Sequence, residues 1–474
     1  MSASTTARTT AAAGDPDAPS PTLPDLPPDL LSRVVSLLPA VEDIGRVDCV
    51  GRPFHAAPHS VVRENSPVAE GLRLRAASRG GGTRPVELGG GAALTQALCL
   101  AELRERAGCR QPLSAGDSHH ALVNPEGGLL TCGTEEEGSF RRLGHGGAVV
   151  VAVPTLVPAL AAVRIASVSA SSTHTLTQSD DGAVYSFGRG SGGRLGHGDE
   201  EDQWSPKVIE ALSGVHVCAV SAGHHHSLVL SADGTVYSCG FGFSAALGHG
   251  SNEDRWTPSV IRGLQGVHVV GLAAGIDHSL ALESDGKVRS WGNGVHGQLG
   301  HGTQDTQLAP HAIETLENVR LCAVAAGNGY SLVLGVNGEV YSFGKGNSGR
   351  LGHGDEENQM TPKRIEMDDP VRAVAAGHAH SMLLCPSGAV YSFGWGAGGR
   401  LGHGDNEDQL APRRIEALCD VTVSAIAAGN VTSIASAAGG TAYGWGYGLD
   451  DSLGLRLEVN QLVPMQYPNV RAME

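Results

Sequence analysis

Two kinds of residue in this chain have the types and spacing to do chemistry. His224, His225 and His226 stand side by side, and six more histidines sit in Leu-Gly-His-Gly tetrapeptides, at His145, His197, His249, His301, His353 and His403. Imidazole is a common ligand of zinc and related ions, so a run of three suggests a metal. The stretch Gly188-Arg189-Gly190-Ser191-Gly192-Gly193 satisfies G-x-G-x-x-G, the spacing that cradles a dinucleotide pyrophosphate. The same spacing returns at Gly292-Gly294-Gly297, Gly344-Gly346-Gly349 and Gly394-Gly396-Gly399. Each reading makes a demand on the surrounding elements. Metal ligands must share one coordination sphere. A dinucleotide loop must leave a strand and open a helix inside a βαβ unit.

The elements meet neither demand, because the chain is a repeat. Leu-Gly recurs at Leu143, Leu195, Leu247, Leu299, Leu351, Leu401 and Leu453, at intervals of 52, 52, 52, 52, 50 and 52 residues. A glycine or Ser171 precedes the later six leucines by 24 residues; in the first copy the gap from Gly116 is 27. Three residues after that position stand His119, His174, His226, His278, Tyr330, His380 and Thr432. A residue that returns once per unit lies far from most of its copies. The repeat histidines are therefore expected to satisfy backbone groups within their own units, with no metal site. No helix follows the glycine stretches. One copy, GFGFSAALGHG at 240–250, drops the third glycine. The glycines read as turn punctuation, and no cofactor is expected.

One unit is legible in physical terms. SLVLSADGTVYSCG (227–240) is two alternating apolar runs around Asp-Gly, a dipeptide suited to a two-residue hairpin turn. A glycine-rich turn follows, then a proline (Pro206, Pro258, Pro310, Pro362 or Pro412), then an apolar strand such as VHVCAVSAG. About four short strands per unit cannot bury both faces alone; seven units arranged radially can. The fold class expected is an all-β seven-bladed β-propeller over 113–474. The C-terminal VPMQYPNVRAM (463–473) is expected to pair with the first blade and close the ring.

Composition narrows the partners. The chain has 474 residues, 67 glycines, 4% aromatic residues and a formal net charge of −16. That charge argues against nucleic acid. No apolar run reaches membrane-spanning length, so no membrane partner is expected. The nine cysteines form no C-x-x-C pair and read as reduced thiols. Residues 1–22 read as a disordered tail rather than a plastid transit peptide, placing the protein in cytoplasm or nucleus. Residues 67–112 combine a Gly-rich linker with an amphipathic helix at 93–108.

Seven in-register copies of AGHHHS, DG-x-VYSFG and G-x-G-x-x-G-x-LGHG resemble the regulator-of-chromosome-condensation repeat, over about three quarters of the chain. That resemblance implies a seven-bladed propeller. The founding member is an exchange factor for the small GTPase Ran and has a basic tail; this tail is not basic, and the even spacing leaves no long inter-blade insertion. A plant UV-B photoreceptor shares the fold and uses Gly-Trp-Arg-His-Thr motifs, which are absent here. Of the five tryptophans, Trp204 and Trp256 fall in pre-proline loops, and Trp291, Trp395 and Trp445 are expected in the VYSFG aromatic column.

Residues 23–66 carry apolar positions at helical spacing and resemble an F-box. That resemblance implies that Leu26, Pro27, Leu30, Val34, Leu38 and Ile44 dock on the adaptor of a cullin ubiquitin ligase. Gly51 and the lack of Leu-Trp near residue 65 depart from the motif; a plain helical cap is the alternative. Acidic residues after LGHG (Asp199, Glu200, Asp202, Glu253, Asp254, Asp355, Glu356, Asp405 and Asp408) are expected to decorate one rim, either self-paired with Arg194, Arg350 and Arg400 or steering a basic partner. The function expected is a non-catalytic adaptor: a ligase substrate receptor with a protein-binding ring. The alternatives are an exchange factor or regulator for a Ran-like GTPase, or a plain scaffold.

Overall fold

The computed structural model describes residues 111–134, 142–147, 150–448, 451–456 and 459–472. The tail, the F-box-like stretch and the connecting segment as far as residue 110 lie outside the described residues.

Among the described residues, seven four-stranded antiparallel sheets follow one another, each with its strands in sequence order. They span 113–156, 165–208, 217–260, 269–312, 321–364, 373–414 and 423–471. The first strand of each sheet touches the first strand of the next, and Val423–Ala428 of the seventh touches Leu113–Ala115 of the first. These strands are therefore innermost, and the ring closes.

A blade is covered on both faces by its neighbours, so its second strand is buried throughout rather than alternating in exposure. His226–Ser231 is buried at every position. The cores accordingly lie between blades. Leu228, Leu230 and Val236 of the third pack with Leu272 and Trp291 of the fourth and with Leu264 of the connection between them.

The hairpins differ from expectation. In Ser179–Ala183 the loop is Asp180-Asp181-Gly182, closed by Ser179 N donating to Ala183 O at 2.9 Å, and only the glycine has a positive φ, +85°. Three residues with a final left-handed glycine, rather than two, join the strands.

Ring closure also differs. Gln461–Arg471 pairs with Thr441–Gly446 of its own blade, not with the first. The first blade needs no donated strand, because Val150–Leu156 completes it. The C-terminal piece reaches the first blade by side chains alone: Tyr467, Val470 and Ala472 pack with Leu113, Leu122 and Cys132.

Candidate functional site

The column histidines are fully buried and bridge blades. Nε2 of His174, His226, His278 and His380 bonds the hydroxyl of Ser227, Ser279, Ser331 and Ser433 of the next blade at 2.8–2.9 Å. His119 reaches Thr175 at 3.1 Å. The serines donate onward to backbone carbonyls, as Ser227 does to Arg194 O at 2.7 Å. A hydroxyl has one proton, so the imidazole must donate through Nε2. The expectation that these histidines serve their own blades is therefore corrected: they are the joints between blades. Tyr330 fills the same role, donating to His380 O at 2.6 Å and accepting from Ser381 at 3.1 Å.

The seventh joint is reversed. Thr432 stands in the histidine column of the last blade, and His120 in the serine column of the first. His120 Nε2 meets Thr432 Oγ1 at 2.8 Å, and its Nδ1 meets the Tyr467 hydroxyl.

The LGHG histidines stay within their blades. His197 bonds Ser186 at 2.9 Å, and the same pairing recurs from His145 with Thr131 to His403 with Ser392. Among the described residues no cluster of His, Cys, Asp or Glu is placed to hold a metal ion.

Arg194, Arg350 and Arg400 are buried rather than paired on a rim. Arg194 donates to its own Ser191 O at 2.8 Å and to His224 O of the next blade at 2.8 Å. Arg350 reaches His378 O at 3.2 Å, and Arg400 reaches Asn430 O at 2.8 Å. Burial lowers Arg194 and Arg400 to about 10, so both stay charged at neutral pH.

The acidic loops have structural work. Asp202, Asp254 and Asp408 accept the backbone N–H of Gly190, Gly242 and Gly396 at 2.8–2.9 Å. Asn358 does the same for Gly346 at 2.9 Å, so that position needs an acceptor rather than a charge. Glu200 accepts from Gly192 and Glu356 from Ser348, each at 3.1 Å. Asp199 takes the Glu201 N–H at 3.1 Å. Glu253, Asp355 and Asp405 form exposed ion pairs with Arg255, Lys363 and Arg413, weak at such a surface.

Side chains that depart from the repeat gather at the loops leaving the inner and third strands. Asp117, His224, Asn328, His378 and Asn430 occupy one column. Its backbone links blade to blade, as in His378 N to Gly429 O at 3.0 Å and Asn430 N to Gly116 O at 3.1 Å. Asn328 Nδ2 contacts His378 Nε2 at 2.7 Å. The next column holds Arg189, Phe241, Asn293, Lys345, Trp395 and Tyr447. Trp395 lies here, 39% exposed under the Arg400 guanidinium at 4.1 Å, not in the buried aromatic column that Trp291 and Trp445 fill. Phe243 is 77% exposed. Sequence reading missed this collection. The signal was present as columns whose residue type changes from copy to copy.

Histidine burial sets a pH dependence. Burial holds His226 near 3 and His278 and His120 near 4, and holds His119, His174 and His380 well below 6.5, with Arg142, Arg194 and Arg400 lowering those last three further. The folded ring keeps these groups neutral, while the unfolded chain takes protons below about 6.5. Their contribution is complete above about pH 6.5 and is lost as pH falls toward 4 and then 3. Thermal midpoints should be flat from pH 8 to 7 and fall steeply below 6.5; an unchanged midpoint at pH 5 would contradict the buried joints.

The sheets and joints define a protein of the tandem-repeat propeller class. The RCC1-like domain family matches residues 109–333 and 210–473, and this chain belongs to that family. Over 221 residues it is 42% identical to the E3 ubiquitin-protein ligase HERC2 of Homo sapiens, covering 45% of this chain and 5% of that protein. Over 255 residues it is 37% identical to the Ultraviolet-B receptor UVR8 of Arabidopsis thaliana, covering 54% of this chain and 57% of that one. The matches thus span less than two thirds of either relative. The crystal structure of yeast RCC1 (Prp20) bound to Kap60 superposes with a TM-score of 0.65 at 26% identity, over 77% of this chain and 87% of that chain. A second structure, of Prp20p from Saccharomyces cerevisiae, reported with its binding to Gsp1p and histones, gives 0.64 at 26% identity over 77% and 89%.

Proposed function

We propose that this chain is a non-catalytic protein-interaction adaptor. Its ring presents a docking face around the central mouth, and residues 23–66 serve as an F-box-like handle on a cullin-type ubiquitin ligase. The observation that carries the docking face is the division of labour within each repeat. Histidine, serine and arginine columns hold the blades together, while the columns at the mouth vary from blade to blade and share one face. The outer acidic loops would form a collar that steers a basic partner surface. The F-box-like residues Leu26, Pro27, Leu30, Val34, Leu38 and Ile44 support the ligase role by their pattern alone.

Prp20p's reported binding to Gsp1p favours a second reading, exchange on a Ran-like GTPase. Two assays separate the readings. Full-length protein should retain the cullin adaptor in a pull-down, and Leu30→Asp with Leu38→Asp should weaken retention about tenfold or more. No retention by the wild type, or no effect of the pair, would sink the ligase role. Accelerated nucleotide release from a Ran-type GTPase would favour exchange.

A further inference from the structure

Four blades carry an arginine just before Leu-Gly, and each sends its guanidinium to the same carbonyl of the next blade. Arg142 bonds Ser172 O, Arg194 His224 O, Arg350 His378 O and Arg400 Asn430 O. Arg194, Arg350 and Arg400 also bond their own turns, at Ser191 O, Asn347 O and Ala397 O, at 2.8–2.9 Å. Where the arginine is replaced, Gln298 and Ser452 bring polar atoms of their own, to His296 N at 2.9 Å and Tyr447 O at 3.0 Å. The third blade has Ala246, which brings none. The matching carbonyls there are Phe243 O and Ile276 O, and the blade has no guanidinium to give them.

The surroundings change with it. Phe241 stands where the sixth blade has Trp395: Phe241 N bonds His225 O at 3.0 Å, as Trp395 N bonds Ala379 O at 2.9 Å. In the sixth blade the Arg400 guanidinium covers the indole at 4.1 Å. In the third, Ala246 cannot cover Phe241, which is exposed together with Phe243, 6.1 Å away between centroids. Across the interface stands Asp277, the one carboxylate in a column otherwise made of Ser118, Thr173, His225, Gly329, Ala379 and Val431. Its carboxyl faces the Ser244 hydroxyl, between Phe243 and Ala245. It belongs to no ion pair among the described residues. Burial pushes it up from the usual carboxylate value, with Ser244 opposing.

The positive groups nearby are committed elsewhere. Arg194 is held by Thr173 and His224 O, Arg255 pairs with Glu253, and Arg189 has a partner of its own. Burial holds His225, beside Phe241, at about 4, so it is neutral at pH 7. Asp254 adds negative charge on the same loop, accepting the Gly242 N–H at 2.8 Å.

We propose that this place takes an arginine side chain of a partner protein. Its guanidinium stacks on Phe241, pairs with Asp277 and donates to Phe243 O and Ile276 O, while Phe243 packs against the partner's flanking residues. The chain's own arginines are the template for the ligand. Stacking on a ring while forking to two acceptors suits a planar guanidinium better than an ammonium. Asp277 and the acidic loops repel phosphates and carboxylates alike, which leaves a cationic occupant.

The proposal rests on the docking-face reading and deepens it. Random dodecapeptide phage panned on immobilised full-length protein supply the probe. Fluorescence anisotropy then compares the consensus peptide with versions in which its arginine is lysine or citrulline. The consensus should hold an arginine beside an apolar residue, and both replacements should weaken it about tenfold or more. Asp277→Asn should weaken binding about tenfold and melt no lower than wild type, because it removes a carboxylate that burial disfavours. Ala246→Arg restores the blade's own guanidinium and should displace the peptide, also by about tenfold or more. No enrichment, a consensus without arginine, equal affinity for the lysine peptide, or wild-type affinity in a folded Ala246→Arg would overturn the site. If Ala246→Arg does not fold, Asp277→Asn decides alone. Ligands that lack arginine and are lost with Lys345→Glu, but not with Asp277→Asn, would end the arginine site and keep the docking face.

Discussion

His120→Ser and Thr432→His should each destabilise the ring alone and should rescue one another when combined. Every other joint places a histidine or Tyr330 in one blade and a serine or threonine in the next; only the seam runs backwards. His120→Ser removes a buried imidazole and both its bonds, to Thr432 and Tyr467, and should cost about 3 kcal/mol or more. Thr432→His alone sets a second ring against His120, an overpacking worth about 1–3 kcal/mol. Together the two changes rebuild the His-to-Ser joint of the other blades. Gly429 supplies the space: it keeps the glycine of that column, and the equivalent Gly223 lies so close to the His226 ring that a Cβ would approach within 2.6 Å. The double variant should recover about 1–2 kcal/mol relative to the sum of the singles. It should stay below wild type, because the buried Tyr467 hydroxyl loses His120. Thermal midpoints at one scan rate decide this. A double variant no better than the sum would show that the reversed hydrogen bond is not what closes the ring.

That seam shows what the sequence reveals and what it hides. The seven-fold repeat, the four strands and the propeller follow from periodicity, because each blade is a local meander whose partner strands are adjacent in sequence. Relations between blades are harder to see. His174 and Ser227 are 53 residues apart, and nothing local says that one blade's imidazole reaches over its neighbour rather than back to its own backbone. The buried arginines were misread for the same reason: Arg194 abuts an acidic loop in sequence, but its guanidinium enters the interface with the next blade. The acidic loops looked like a rim of charge because composition cannot separate Asp202 as an acceptor for Gly190 from a solvated carboxylate; Asn358 in the same column was the clue. Trp395 follows the aromatic column by two residues, far enough to move from core to surface. The varied side chains at the mouth were legible only by subtraction, as the columns that refuse to repeat.

Gly190→Ala should destabilise the ring by about 3–5 kcal/mol, far more than Gly214→Ala. The two glycines isolate different costs. Gly214 has a φ of +79° and open space where a Cβ would go, so alanine there pays only the left-handed strain, about 1 kcal/mol. Gly190 has an ordinary φ of −91°. Its Cβ would instead sit 2.1 Å from Glu201 O, backbone that the Asp202 bond to Gly190 N holds in place. The same approach recurs at Gly294, Gly346 and Gly396, at 2.0–2.1 Å from Asp305, Glu357 and Glu407 O. The second glycine of the dinucleotide-like pattern is thus set by the returning loop of its own blade. The third is set differently: at Gly193, a Cβ would meet Trp256 Cα of the next blade at 2.4 Å. A pyrophosphate loop makes the opposite forecast, that Gly190→Ala keeps its melting temperature and loses a nucleotide. Thermal unfolding of both variants beside wild type, with NADH titrated by fluorescence, separates the two. Equal melting for Gly190→Ala and Gly214→Ala would return the glycines to ligand binding; a deep loss at Gly190 alone assigns them to the turn.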